Sequence, residues 1–194
     1  MKKSLSLIIL SASILTACDE AKQTEVSSEN GRMQGDQNLD FSDFTSAEKI
    51  KISEVRAMKL IDSLSGEYEL NDRSYEEMLY LADKLECIPM GIMVGRVETH
   101  TSEEGSHGEW KMNSYFGLDE VVSQDRGVFE IKSDNQGKFF SEYGDSIMEA
   151  YINGDSKNFT IEGNWKDKES HGEIVGIKVV DERENLFGIW SSCD

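Results

Sequence analysis

The chain has 194 residues, of which 38 are acidic and 20 basic, so its formal charge is -18. This length suits one ordinary domain with appendages, and 38% hydrophobic residues are enough to build a core. The negative charge excludes nucleic acid as a partner and excludes docking onto anionic lipid by surface charge, because both need a basic face.

The first seventeen residues have the pattern of a secretory signal. Two lysines follow the initiating methionine, and the apolar run from Leu5 to Leu15 is too short for a stable transmembrane helix. The run ends in Leu-Thr-Ala-Cys at residues 15–18, which resembles the lipobox of bacterial lipoproteins. In that family the cysteine is diacylated and the bond before it is cut. An ordinary signal peptide, cut after Ala17, is the alternative.

The resemblance implies that Cys18 carries the lipid anchor and that the membrane is a partner through that anchor. Asp19 and Glu20 follow Cys18 and resemble the signal that keeps enterobacterial lipoproteins in the inner membrane. We therefore expect the protein at the periplasmic face of the inner membrane. The outer membrane is the alternative, because the sorting rule varies between bacterial groups.

Residues 18–44 are predicted to be a disordered acidic tether, because this segment is polar and lacks apolar periodicity. Loss of the two signal lysines leaves a mature chain of charge -20. The tether holds seven acids and two bases, so residues 45–194 keep 31 acids and 16 bases, or -15. Most of the acidity therefore belongs to the folded domain.

Residues 46–86 are predicted to form two helices. Thr45 and Glu48 make a capping-box pattern at the start of the first helix, and Gly66 is its predicted stop. Ser74 is expected to open the second helix in the same way, and Pro89 to end it. Apolar residues recur at helical spacing in both segments, so each helix is expected to pack one face against a core.

Residues 90–193 are predicted to form about eight short antiparallel strands, because apolar and polar residues alternate with a period of two. The expected strands contain Ile92–Thr99, Trp110–Phe116, Val128–Lys132, Lys138–Ser141, Ile147–Ile152, Phe159–Trp165, Glu173–Val180 and Leu186–Ser191. The fold class is therefore α+β, with two N-terminal helices packed on an antiparallel β-barrel or sandwich. Glycines inside the strands favour a barrel, and the repeated Gly-x-aromatic strands resemble those of calycin-type barrels.

Cys87 and Cys193 are the two cysteines left after lipidation of Cys18. In an oxidising periplasm this even remainder predicts a disulfide that encloses the strand region. Two buried free thiols, or one reactive thiol, are the alternatives.

No metal, cofactor or catalytic site is predicted. A zinc site drawn from His107, His171 and a glutamate would need two similar Ser-His-Gly-Glu turns to meet in space, and exposed turn histidines are the preferred interpretation. The glycines of these turns, Gly108 and Gly172, are expected at positive φ. The sequence contains no nucleophile elbow, nucleotide-binding loop or calcium loop, and its many carboxylate pairs arise by chance.

These observations favour a non-catalytic protein-binding module, such as an inhibitor or immunity protein whose acidic surface meets a basic partner. Acidity that serves only solubility is an alternative. A small-ligand or lipid-binding barrel is the other function considered. Its cavity would be lined by large apolar residues that are otherwise simple core: Met112, Trp110, Phe159, Trp165 and Trp190.

Overall fold

The structure, a computed structural model, describes residues 45–117, 120–179 and 185–193. Two helices, α1 (Ser46–Tyr68) and α2 (Asp72–Ala82), precede eight strands. The strands are β1 (Ile88–Ser102), β2 (Gly105–Phe116), β3 (Glu120–Lys132), β4 (Gln136–Gly144), β5 (Ile147–Gly154), β6 (Phe159–Lys166), β7 (His171–Lys178) and β8 (Asn185–Ser192).

The helix starts are set by side-chain caps. Thr45 forms the predicted capping box with Glu48, and its backbone N–H donates to the Glu48 carboxylate over 2.9 Å. The second helix begins three residues earlier than predicted, because Asn71 and not Ser74 is its cap and accepts the Ser74 N–H over 2.9 Å.

Both predicted helix ends are wrong. α1 runs through Gly66 to Tyr68, and the left-handed residue that ends it is Glu69, at φ 53°. α2 ends at Ala82, before Leu85 and Cys87, while Pro89 lies inside β1. Pro89 is tolerated there because it sits near the start of the strand, beside a register shift in the pairing with β8.

The strands form a closed antiparallel barrel in which each strand pairs with the next along the chain and β1 pairs with β8. The barrel is therefore confirmed over the sandwich. Because the strands run alternately up and down, one end of the barrel carries the starts of β1, β3, β5 and β7 and the ends of the other four. We call this end the mouth.

The barrel interior is filled by apolar side chains from all eight strands. Stacking of Trp110 on Phe139, with ring centroids 4.3 Å apart, lies within this core. Four large aromatic residues lie directly opposite a glycine on the neighbouring strand, which leaves room for the ring: Trp110–Gly127, Phe129–Gly108, Trp165–Gly172 and Trp190–Gly91. Gly108 and Gly172 thus lie in strands under aromatic rings, and the expectation of positive φ at these two glycines is wrong.

Candidate functional site

The mouth of the barrel contains a cavity of about 270 Å³. Its wall combines apolar and aromatic side chains with serines and two carboxylates. The described residues that line it are Met90, Ser114, Val122, Ser123, Asp145, Ser146, Met148, Trp165, Asp167, Ser170, Ile174, Trp190 and Ser192. An apolar concavity with a few polar groups around it is the usual form of a small-ligand site.

Two perpendicular indoles form the aromatic part of this cavity. The rings of Trp165 and Trp190 have centroids 5.7 Å apart and an interplanar angle of 85°. Each indole N–H donates a hydrogen bond to a backbone carbonyl: Trp165 to Ser191 over 2.8 Å, and Trp190 to Tyr115 over 2.9 Å. These hydrogen bonds fix both rings in the cavity wall.

Two carboxylates belong to the loops around the cavity. Asp167 accepts the backbone N–H groups of Glu169 and Ser170 over 2.8 and 2.7 Å, and these bonds hold the pKa of its carboxyl below the usual value. Asp145 accepts the Gln124 N–H over 3.4 Å. The ionised Asp167 therefore places negative charge at the mouth at neutral pH.

A third carboxylate, Asp125, is buried in β3 and does not line this cavity; the concavity that it lines also contains Lys111 and Arg126. Asp125 lies on the same face of β3 as Ser123, one row deeper in the barrel, and is only 4% exposed. Its Oδ1 accepts the Ser146 N–H over 3.0 Å, while Oδ2 has no hydrogen-bond partner among the described residues. Burial raises the pKa of Asp125, and the Ser146 hydrogen bond opposes this shift.

A second concavity, which we call the helix groove, lies between α1, α2 and the start of β1 and has a volume of about 590 Å³. Three exposed apolar side chains border it: Ile50, Met58 and Tyr80, at 61%, 51% and 66% exposure. Its charged lining residues are Lys49, Glu54, Asp83 and Glu86, so acids outnumber bases. Exposed apolar side chains with a charged surround are typical of an interaction surface.

The predicted disulfide between Cys87 and Cys193 is confirmed. Beside it, the Glu173 carboxylate accepts the backbone N–H groups of Glu86 and Cys87 over 2.8 and 2.9 Å. Glu173 and the two sulfurs are the one group of possible metal ligands found in the described part of the chain. Because both sulfurs are used in the disulfide, this group is not a metal site.

The structure separates the histidines considered for zinc. His107 lies in β2, near the end of the barrel opposite the mouth, and is paired in register with His100. His171 lies at the start of β7, at the mouth. A site that combines His107 with His171 is therefore ruled out by the strand directions.

The residues predicted to line a ligand cavity divide into two sets. Trp110, Met112 and Phe159 belong to the packed interior, whereas Trp165 and Trp190 reach the mouth cavity. The carboxylates at the mouth and the helix groove were not predicted. Asp125 carried a usable signal, since it occupies an inward position in the alternation that contains Ser123, Phe129 and Ile131.

Cys18, Asp19 and Glu20 lie outside the described residues. Among the described helices, neither is both long enough and apolar enough to cross a membrane. No family model, curated protein or solved structure matches the chain. Its function is therefore inferred from its own residues.

Proposed function

We propose that this chain is a lipid-anchored, non-catalytic binding protein of the bacterial cell envelope, and that its helix groove docks an apolar segment of a basic partner protein. The anchor is Cys18, and Asp19 and Glu20 place the protein at the periplasmic face of the inner membrane. An inhibitor or immunity protein fits this description. The exposed apolar border of the groove, set among acids, is the observation that carries the proposal.

The groove is useful for docking only if the helices are held firmly, and we propose that α1 and α2 pack on the outside of β7, β8 and β1. Outward side chains of these strands are buried: Ile92, Val175, Ile177, Phe187 and Ile189. Polar contacts also link α1 to β1 and the segment after α2 to β6. Arg56 donates to the Pro89 carbonyl over 2.9 Å, and Lys84 forms an ion pair with Glu162. This arrangement would be a calycin-type barrel with two added helices.

Charge complementarity selects the partner. Residues 45–194 carry a net charge of -15, and Glu54, Asp83 and Glu86 lie along the groove itself. Such a field speeds the encounter with a cationic protein and fixes its orientation, while apolar contacts at Met58 and Tyr80 supply affinity. A tether of about 25 residues leaves the domain free to meet that partner close to the membrane.

Site-specific cross-linking tests the docking face. A photoreactive phenylalanine analogue replaces Tyr80 in one strain and Tyr151 in another; Tyr151 is a matched control, because it is 73% exposed but lies on β5, outside the groove. We expect a basic periplasmic protein to cross-link to residue 80 but not to residue 151. The cross-link at residue 80 should disappear at high salt, because salt screens the attraction between the charges. Equal cross-linking at both positions, or insensitivity to salt, would contradict the proposal.

The anchor is tested separately. Palmitate labels the wild-type chain and should not label Cys18→Ala; equal labelling refutes the anchor.

Membrane fractionation tests the sorting role of the two residues after the anchor. Replacement of Asp19 and Glu20 by serine is expected to move the protein from the inner to the outer membrane, and an unchanged distribution rules out the sorting role.

A small-ligand function is the second candidate, and the mouth cavity is the observation that favours it. Because the barrel centre is packed, this ligand would occupy the mouth only and not the whole interior.

A further inference from the structure

We propose that the mouth cavity binds a small organic cation, an ammonium group that carries alkyl substituents. This site is separate from the helix groove, and the inference does not depend on the docking function. It rests on two features of the mouth: two indole rings fixed by hydrogen bonds, and two carboxylates, Asp145 and Asp167, among the lining residues.

The indoles supply the first part of the recognition. Trp165 and Trp190 meet edge to face at 85° and both line the cavity, and Met148 and Ile174 add apolar surface. The negative face of an aromatic ring attracts a cation, and tryptophan does so more strongly than other aromatic residues. Alkyl groups on the nitrogen also gain contact with the apolar walls, which an unsubstituted ammonium ion does not.

The charges supply the second part. Of the described residues that line the cavity, two are acidic, Asp145 and Asp167, and none is basic. Arg56 contacts the sulfur of Met90 but is not a lining residue, and its Nε donates to the Pro89 carbonyl. This arrangement favours a cation over a neutral molecule of the same shape and disfavours an anion.

The volume limits the size of the ligand. At about 270 Å³ the cavity is slightly smaller than most ligand pockets, which span roughly 300–1,000 Å³. An ion with the dimensions of tetramethylammonium or choline fits this space, whereas a long acyl chain does not, because the interior below is packed with side chains.

Calorimetry on the purified full-length chain in non-ionic detergent tests the proposal with two probes of equal shape, choline and its neutral isostere 3,3-dimethylbutan-1-ol. We expect choline to bind with a dissociation constant of about 1 mM or tighter and the alcohol to bind at least about tenfold more weakly. Equal affinity of the two probes, or no binding of choline, overturns the proposal.

Charge variants locate the site. Asp145→Asn combined with Asp167→Asn keeps oxygen acceptors for the backbone N–H groups but removes both charges, and we expect it to weaken choline binding about fivefold or more. Asp155→Asn is the matched control. Asp155 accepts two backbone N–H groups in a similar turn, between β5 and β6 at the opposite end of the barrel. An equal loss in both variants overturns the assignment to the mouth. Urea unfolding checks that the variants are folded.

A lipid headgroup presents the same chemistry as a free ammonium ion. Vesicles of phosphatidylcholine and of a neutral glycolipid, added to the Cys18→Ala chain, distinguish the two sources. We expect choline to bind in solution and neither vesicle to bind. Binding to phosphatidylcholine vesicles without binding of free choline overturns the assignment to a free ligand.

Discussion

Trp110 of β2 lies directly opposite Gly127 of β3, and a Cβ built at residue 127 would come within 2.8 Å of Cζ2 of the indole. The same Cβ would collide with the Phe140 carbonyl oxygen. The indole N–H donates to this carbonyl and to that of Val128, each over 3.2 Å. The absence of a side chain at Gly127 therefore leaves room for the Trp110 indole of β2 to form hydrogen bonds with the backbone of β3 and β4.

Gly127→Ala is expected to lower the free energy of unfolding by about 1–3 kcal/mol, because the added methyl group displaces the indole or the neighbouring strand. Urea unfolding followed by tryptophan fluorescence measures this loss. An unchanged midpoint would show that the indole is not confined as described.

Gly66→Ala is expected to have the opposite effect. Gly66 lies inside α1, and nothing lies within 4 Å of a Cβ built there. Alanine removes the entropic cost of glycine in a helix, so we expect a gain of about 0.5–1 kcal/mol in the free energy of unfolding. Urea unfolding by circular dichroism measures it; a loss of stability would mean that this turn of α1 is not helical.

Removal of the disulfide by Cys87→Ser with Cys193→Ser is expected to cost about 2–4 kcal/mol. The bridge joins residues 106 apart in sequence and restricts the unfolded chain strongly. Reductant should lower the urea midpoint of the wild type to that of the variant and leave the variant unchanged. A midpoint that reductant does not alter in the wild type would contradict this.

Asp125 predicts a pH-dependent stability. Burial raises the pKa of its carboxyl above the usual 3.8, so the folded chain binds this proton more tightly than the unfolded chain. Between 3.8 and the raised pKa, the contribution of Asp125 to stability falls as pH rises. Asp125→Asn removes the titration and keeps an acceptor for the Ser146 N–H.

The measurement is the difference in free energy of unfolding between wild type and Asp125→Asn, taken from about pH 4 to about pH 7. We expect this difference to move in favour of the variant as pH rises, since only the wild type then holds a buried charge. A difference that is constant over this range would place Asp125 in contact with water.

Much of the fold is predictable from the sequence, because alternation with a period of two survives in most strands. Phe159, Ile161 and Trp165 mark β6 within one residue of its true bounds. β3 begins at Glu120, but the sequence predicts it only from Val128. The alternating pattern fails in the first half of the strand, because Val121 and Val122 are exposed and the inward residue Asp125 is charged. The first half of β3 is stabilised by pairing with β2, and this pairing leaves no signal in the local sequence.

The candidate sites were less predictable for the same reason. Asp145 and Asp167 lie in separate turns, and only closure of the barrel brings them to one mouth with Trp165 and Trp190. The disulfide was predictable, because it needed only a count of cysteines and the redox state of the compartment.

The bridge between Cys87 and Cys193 also determines how the molecule bears force. Their Cα atoms are 4.8 Å apart, and all eight strands lie between them in sequence. A pull along the chain, applied between a residue before Cys87 and the C-terminus, passes through two sulfur atoms and bypasses the barrel. Under tension the helices would extend first, while the strand pairing and the mouth stay unloaded.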